Sequence, residues 1–144
     1  MPAEDCATVR KVRIDEITPN YRRGGDIRVV LSPTLTGSTS GFMGIVTLEP
    51  GQGVTEHYHP YSEEFLYIVR GAMTATVDDR VIELVADEAI MVPIGIRHRL
   101  TNNGTETAAA VFHLSPLAPK PALGHVDTEP VADPAAPQPS IGVW

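Results

Sequence analysis

The sequence predicts an all-β fold: one barrel of short strands followed by a proline-rich tail. Three observations predict it. Between residues 26 and 116, short runs rich in Val, Ile, Thr and aromatic residues alternate with turn signals. No stretch keeps a 3.6-residue apolar period long enough for a major helix. Beyond Pro116, prolines at 119, 121, 130, 134, 137 and 139 exclude helix and central strand.

In chain order, residues 1–25 form a mixed polar segment ending in the turn-like Arg22-Arg23-Gly24-Gly25. The barrel, 26–116, takes its strands from Ile27–Leu31, Phe42–Leu48, Phe65–Val69, Met73–Val77, Arg80–Leu84, Ala89–Val92, His98–Thr101 and Thr107–Leu114. Pro50-Gly51, Asp78-Asp79, Pro93-Ile94-Gly95 and Asn103-Gly104 supply turns between them. The tail, 117–144, is expected to wrap the outside of the barrel, anchored by Ile141, Val143 and Trp144.

Composition excludes several function classes. The chain has 144 residues, enough for one domain with a real core, and carries 11 basic against 18 acidic residues, a net charge of −7. That balance argues against nucleic acid or an anionic membrane as partner, since phosphate binding needs clustered Lys and Arg. The densest basic stretch, Arg10-Lys11-Val12-Arg13, is followed at once by Asp15 and Glu16 and reads as a solvated segment. The single cysteine, Cys6, excludes an internal disulfide and a cysteine zinc site. With no apolar run of membrane length and no basic, apolar leader, a cytoplasmic protein is expected.

The chemistry concentrates in histidines. His57 and His59 flank Tyr58, so on an extended strand both imidazoles face one way, roughly 6.5–7 Å apart. Glu64 follows after the turn-forming Pro60-Tyr61-Ser62, and His98 stands behind Pro93-Ile94-Gly95. Imidazole and carboxylate together suit first-row divalent ions. A single His-x-His is a weak signal, because surface histidines alternate by chance. The whole arrangement is far more specific: Gly51, His57, His59, Glu64 and Gly71, then Asp87, Pro93, Gly95, His98 and Asn102.

These spacings resemble both signature motifs of the cupin superfamily. One departure is Asp87, where the family usually has Gly; the position belongs to a turn, and Asp tolerates a left-handed conformation. The resemblance implies a double-stranded β-helix, or jelly-roll, barrel with His57, His59, Glu64 and His98 as ligands on its inside. Glu63 and Glu64 face opposite ways on a strand, and the distance to Gly71 favours Glu64. His113 is a further candidate, alongside Glu64 or replacing it. A tight turn at Asn103-Gly104 would set it roughly 13 Å along from His98, and a looser loop directly opposite. His125, in the tail, reads as structural.

The likeness goes further. RRGGDIRVVLSP at 22–33, SGFMG at 40–44, HYHPYSEEFLY at 57–67, VPIGIRHRL at 92–100 and SPLAPKPALGHVDTE at 115–129 resemble the cupin-type aromatic polyketide cyclases of actinomycetes. This implies one divalent ion (zinc first, with iron, manganese or nickel as alternatives). It also implies aldol-type ring closure of a poly-β-ketone, free or bound to a carrier protein. Glu64 and Tyr61 are the candidate proton-transfer residues, and Phe42, Met43, Phe65, Tyr67, Met73 and Met91 the candidate cavity wall, with Met73 and Met91 foremost. Arg97 and Arg99 should face away from the metal. A homodimer is expected, since cupins pair barrels. The rival readings are an oxygen-using cupin dioxygenase acting on an aromatic precursor and a non-catalytic module that binds a small ligand.

Overall fold

In a computed structural model of the chain, residues 9–142 are described, so Cys6, Val143 and Trp144 lie outside the described residues. Ten strands are present: β1 (Asp26–Leu31), β2 (Phe42–Leu48), β3 (Gly53–Tyr58), β4 (Glu63–Arg70), β5 (Ala72–Val77), β6 (Arg80–Val85), β7 (Ala89–Val92), β8 (His98–Thr101), β9 (Ala108–Ser115) and β10 (Val126–Asp127). One turn of helix, α1 (Pro33–Thr36), follows β1; Ser32 Oγ caps it by accepting from the Leu35 amide, and Pro33 starts it. Among the described residues no helix is long and apolar enough to cross a membrane.

The strands form two five-stranded antiparallel sheets, ordered β1-β2-β9-β4-β7 and β10-β3-β8-β5-β6. Alternation decides which face is buried. Along β9, Ala108, Ala110, Phe112 and Leu114 point inward, while Ala109, Val111, His113 and Ser115 are half-exposed. Along β4, Leu66 and Ile68 are buried but Phe65, Tyr67 and Val69 are exposed. The core between the sheets includes Val46, Leu48, Ile68, Met73, Leu84 and Phe112. Two such half-polar sheets must close on each other to hide these faces, which makes the jelly roll.

The turns behave as their residues dictate. Asp78 and Asp79 both have positive φ (48° and 67°) and join β5 to β6 with Val77 opposite Arg80, a two-residue hairpin matched to strand twist. Asp87 adopts φ 73°, the left-handed conformation expected of it, and its Oδ1 accepts from Tyr67 Oη at 2.8 Å. Gly71 is also left-handed, and a Cβ there would lie 2.7 Å from the Thr107 carbonyl oxygen.

Two expectations need correction. The segment Gly53–Tyr58 is a full strand, paired to β8 through an irregular register between Val54 and His57. The tail does more than wrap the outside. Val126–Asp127 adds an edge strand to β3, opposite Tyr58 and His57. Further on, Arg22 Nη1 donates to the Pro134 and Ala136 carbonyls, Asn20 Nδ2 to that of Pro137, and the Thr34 amide to that of Ile141. The tail is thereby drawn across the barrel mouth, where Leu117, Gln138, Pro139 and Ile141 become part of the cavity wall.

Candidate functional site

His57 is the last residue but one of β3, His59 follows the strand, Glu64 lies early in β4 and His98 opens β8. The three histidines are buried and Glu64 is half-buried, and one ligand atom from each lies within 4.8 Å of the others. Glu64 shares the inward parity of Leu66 and Ile68, and His98 that of Leu100. His57 and His98 are directly opposed across β3 and β8.

Backbone carbonyls orient all three imidazoles. His57 Nδ1 donates to Thr55 O at 2.7 Å, His59 Nδ1 to Gly124 O at 3.0 Å, and His98 Nδ1 to Ile96 O at 3.0 Å. With the proton fixed on Nδ1, each Nε2 keeps its lone pair, the arrangement second partners impose on metal-binding histidines. His59 Nε2 and His98 Nε2 are buried without a hydrogen-bond partner. His98 Nε2 comes within 2.6 Å of Glu64 Oε2, and His59 Nε2 within 3.7 Å, off the hydrogen-bond direction. Buried lone pairs aimed at one point, with no donor among them, fit a divalent cation.

The electrostatics of Glu64, His57 and His59 agree. Burial pushes the Glu64 carboxyl up, but His98, His59 and His57 outweigh it and hold the group down at about 2. Burial pulls His57 well below its ordinary value, with His125 adding to the effect, and lowers His59 despite Glu64. For His98 burial also acts downward, but the Glu64 contact dominates and the net shift is upward.

Above the cluster lies a cavity of about 490 Å³. Ile27, Val29, Phe42, Val46, Leu66 and Ile90 form much of its apolar wall. Of the expected lining residues only Phe42 belongs to it. Met73 is sealed in the core at 1% exposure, and Phe65, Tyr67 and Met91 stand on the outer face of their sheet. Met43, paired with His113, shares that outer side.

His113 is not at the site. It points outward from β9, beside Phe65 with ring centroids 5.9 Å apart. The reason is topological: β8 pairs with β3 and β5, whereas β9 pairs with β2 and β4, so Asn103-Gly104 joins the two sheets and makes no hairpin. Asn102 holds that crossover, donating from Nδ2 to the Leu48 and Glu106 carbonyls and accepting the Gly104 amide at Oδ1. Tyr61 is 42% exposed on the turn after β3 and does not line the cavity, which removes the basis for its proton-transfer role.

His125 is more than a structural tail residue. Its ring stacks on His57, centroids 4.3 Å apart and planes 18° apart, and its Nε2 donates to Asp127 Oδ1 at 2.9 Å. Burial, then Arg23, push its pKa down to about 2. Asp127 also takes a salt bridge from the buried Arg23. The alternation His125-x-Asp127 within the segment at 115–129 was the one sequence signal for this pair. Arg97 reaches toward Glu56 and Asp78 and does not line the cavity, whereas Arg99 engages Glu129 and stands in the cavity wall.

Residues 44–114 match the cupin domain family model. The chain is 56% identical over 120 residues to polyketide synthase CurC of Streptomyces cyaneus, spanning 83% of this chain and 78% of that one. It is 47% identical over 139 residues to tetracenomycin polyketide synthase protein TcmJ of Streptomyces glaucescens, spanning 96% and 93%. Among solved structures, an uncharacterised double-stranded β-helix protein from Klebsiella pneumoniae superposes with TM-score 0.67 at 21% identity, covering 85% of this chain and 99% of that one. The last likeness concerns fold alone; with the two Streptomyces relatives and the ligand spacing, it follows that this chain belongs to the cupin family.

Proposed function

We propose that this protein is a metal-dependent cyclase that closes a ring of a poly-β-ketone by aldol addition and loss of water, in aromatic polyketide assembly. One observation carries the reading: three histidines and a glutamate converge in a cavity whose wall is mostly apolar. Relatives named as polyketide synthase proteins support it.

His57, His59, Glu64 and His98 would hold the ion. A divalent ion bound there supplies Lewis acidity toward a ketone oxygen and the enolate that develops from it. The chain's own residues do the rest. The wall formed by Ile27, Phe42, Leu66 and their neighbours folds a flexible substrate so that one methylene meets one carbonyl, and it keeps bulk water out. The methylene proton passes to Glu64 or to His125, whose Nδ1 keeps a lone pair because Nε2 donates to Asp127. The half-exposed apolar face of Phe65, Tyr67 and Met91 fits contact with a second copy, so a homodimer is the proposed assembly, checked by light scattering.

The test is reconstitution with enzymes that deliver the uncyclised chain, beside elemental analysis of the purified protein. His98→Ala is expected to lose the metal and the ring-closed product while circular dichroism stays native. Normal cyclisation by the metal-free variant would overturn the reading. The three-histidine, one-carboxylate set also suits redox-active iron, which favours one second reading, an aromatic dioxygenase. Iron in the purified protein, with oxygen uptake on an aromatic substrate, would put that reading first; stoichiometric zinc would put it aside.

A further inference from the structure

We propose that Arg23 is an anchor for a carboxylate-bearing ligand, so that the cavity takes a released acyl chain by its acid end in preference to a thioester. This rests on the cyclase reading for the identity of the chain, but the anchor itself is argued from the guanidinium.

Arg23 is only 7% exposed, yet it lines the cavity. Its Nε donates to Asp127 Oδ1 at 2.9 Å, and Nη2 donates to Asp127 Oδ2 at 3.3 Å and Gln138 Oε1 at 3.0 Å. These bonds use one edge of the fork and fix its plane. Nη1 has no acceptor among the described residues. Nη1 is not sealed from solvent, so its two undirected N–H groups bond water that an oxygen ligand entering the cavity would replace. Charge favours an anionic oxygen over a ketone. Asp127, the neutralising partner, is already shared with His125, and charge-assisted bonds are about twice as strong as neutral ones. Arg99, the other arginine at the cavity, has a side chain 38% exposed and is bound to Glu129, so it competes with water for any ligand.

The position adds direction. Asp127 and the His125 ring connect Arg23 to His57, so an acid group on Arg23 lies on the tail side of the cavity and the ketones extend toward the histidine cluster. Arg23 is a positioning residue in this scheme: it fixes which end of the chain enters first, and hence which carbons meet.

The experiment compares 2-naphthoate with 2-naphthamide, equal in shape and different in charge, by calorimetric titration of the metal-loaded protein. Wild type is expected to bind the acid about tenfold tighter than the amide. In Arg23→Gln that preference falls to about one, whatever loss the two ligands share. Arg23→Lys keeps the charge beside Asp127 but lacks the fork, and its preference falls between the two. A wild-type preference of about one overturns the proposal without any variant. So does a preference that survives in both variants, because the metal would then bind the acid. Equal loss of both ligands in Arg23→Lys also overturns it, since a residue that only braces the tail would behave that way. A preserved acid preference with no cyclisation in reconstitution removes the cyclase reading and leaves the anchor standing.

Discussion

The cavity has two kinds of wall, and they are built by different physics. The barrel wall is made of strands whose neighbours fix every position: in β9, paired on both sides, each inward residue is determined by its parity. The tail wall has one two-residue strand and a few scattered backbone bonds, such as Thr34 to Ile141, and is otherwise held by side chains, Arg22 and Asn20 on carbonyls, Arg23 on Asp127 and Arg99 on Glu129. The ligands sit on the rigid wall, where small displacements are resisted. The groups that shape and close the cavity sit on the adjustable one. A metal centre tolerates little variation, whereas substrate fit must vary among relatives, and the division places each demand on the wall suited to it.

The largest effect should come from the barrel. Leu48 is fully buried, and Leu48→Ala is expected to cost roughly 2–5 kcal/mol in denaturant unfolding with metal stoichiometry unchanged. A loss below about 1 kcal/mol would mean that the core collapses around the gap and the wall is softer than its ladders suggest. Next comes the tail: Asp127→Ala leaves the buried Arg23 without its partner and is expected to cost about 2 kcal/mol, the partial exposure of Asp127 reducing the usual penalty. The metal should stay. If it leaves too, the two walls are one unit and the comparison fails.

The third effect is a pH dependence of the metal-free protein. His57, His59 and His125 are held below the ordinary histidine value of 6.5. Below pH 6.5 the unfolded chain therefore binds more protons than the fold, and stability falls as pH drops from 6.5 toward 5. The limit is about 1.4 kcal/mol per pH unit for each proton. Glu64 and His98 do not oppose this in that window. Glu64, lowered, contributes above its ordinary 4.5, and His98, raised, contributes fully only below 6.5. Unfolding curves between pH 5 and 6.5 that do not move would show that the histidines are not held neutral, and His125→Gln should flatten the slope. Smallest of all is the outer face: His113→Ala should change stability by less than about 0.5 kcal/mol and leave metal content unaltered.

The barrel strands and the shared face of His57 and His59 were legible because period two is local information, whereas Glu64 and His98 joined them through motif spacings that resemble the cupins. Where strands pair is not local. His113 shares strand chemistry with a ligand, and only the crossover between sheets after Asn102 sends it outward. Strand β3 was harder to read than its neighbours because Thr55, Glu56 and Tyr58 interrupt the apolar signal and the register slips beside them. Met73 and Met91 show the limit of composition: both are apolar and in strands, yet one is core and the other faces outward. His125 and Arg23 were missed for a further reason. They lie outside the regular strands, so their placement depends on a contact between segments 104 residues apart.

The proline carbonyls that Arg22 and Asn20 grip have a thermodynamic meaning of their own. Proline has no amide hydrogen to satisfy and a fixed φ, so a segment rich in it gives up little chain entropy when it docks. A few donors from the N-terminal arm are then enough to hold it. Replacing Pro134 or Pro137 by alanine would remove no contact, yet it would widen the range of shapes of the undocked strap and shift its closure equilibrium toward open. Stiffness stored in the free chain, more than adhesion in the docked one, would set how often the mouth of the barrel is uncovered.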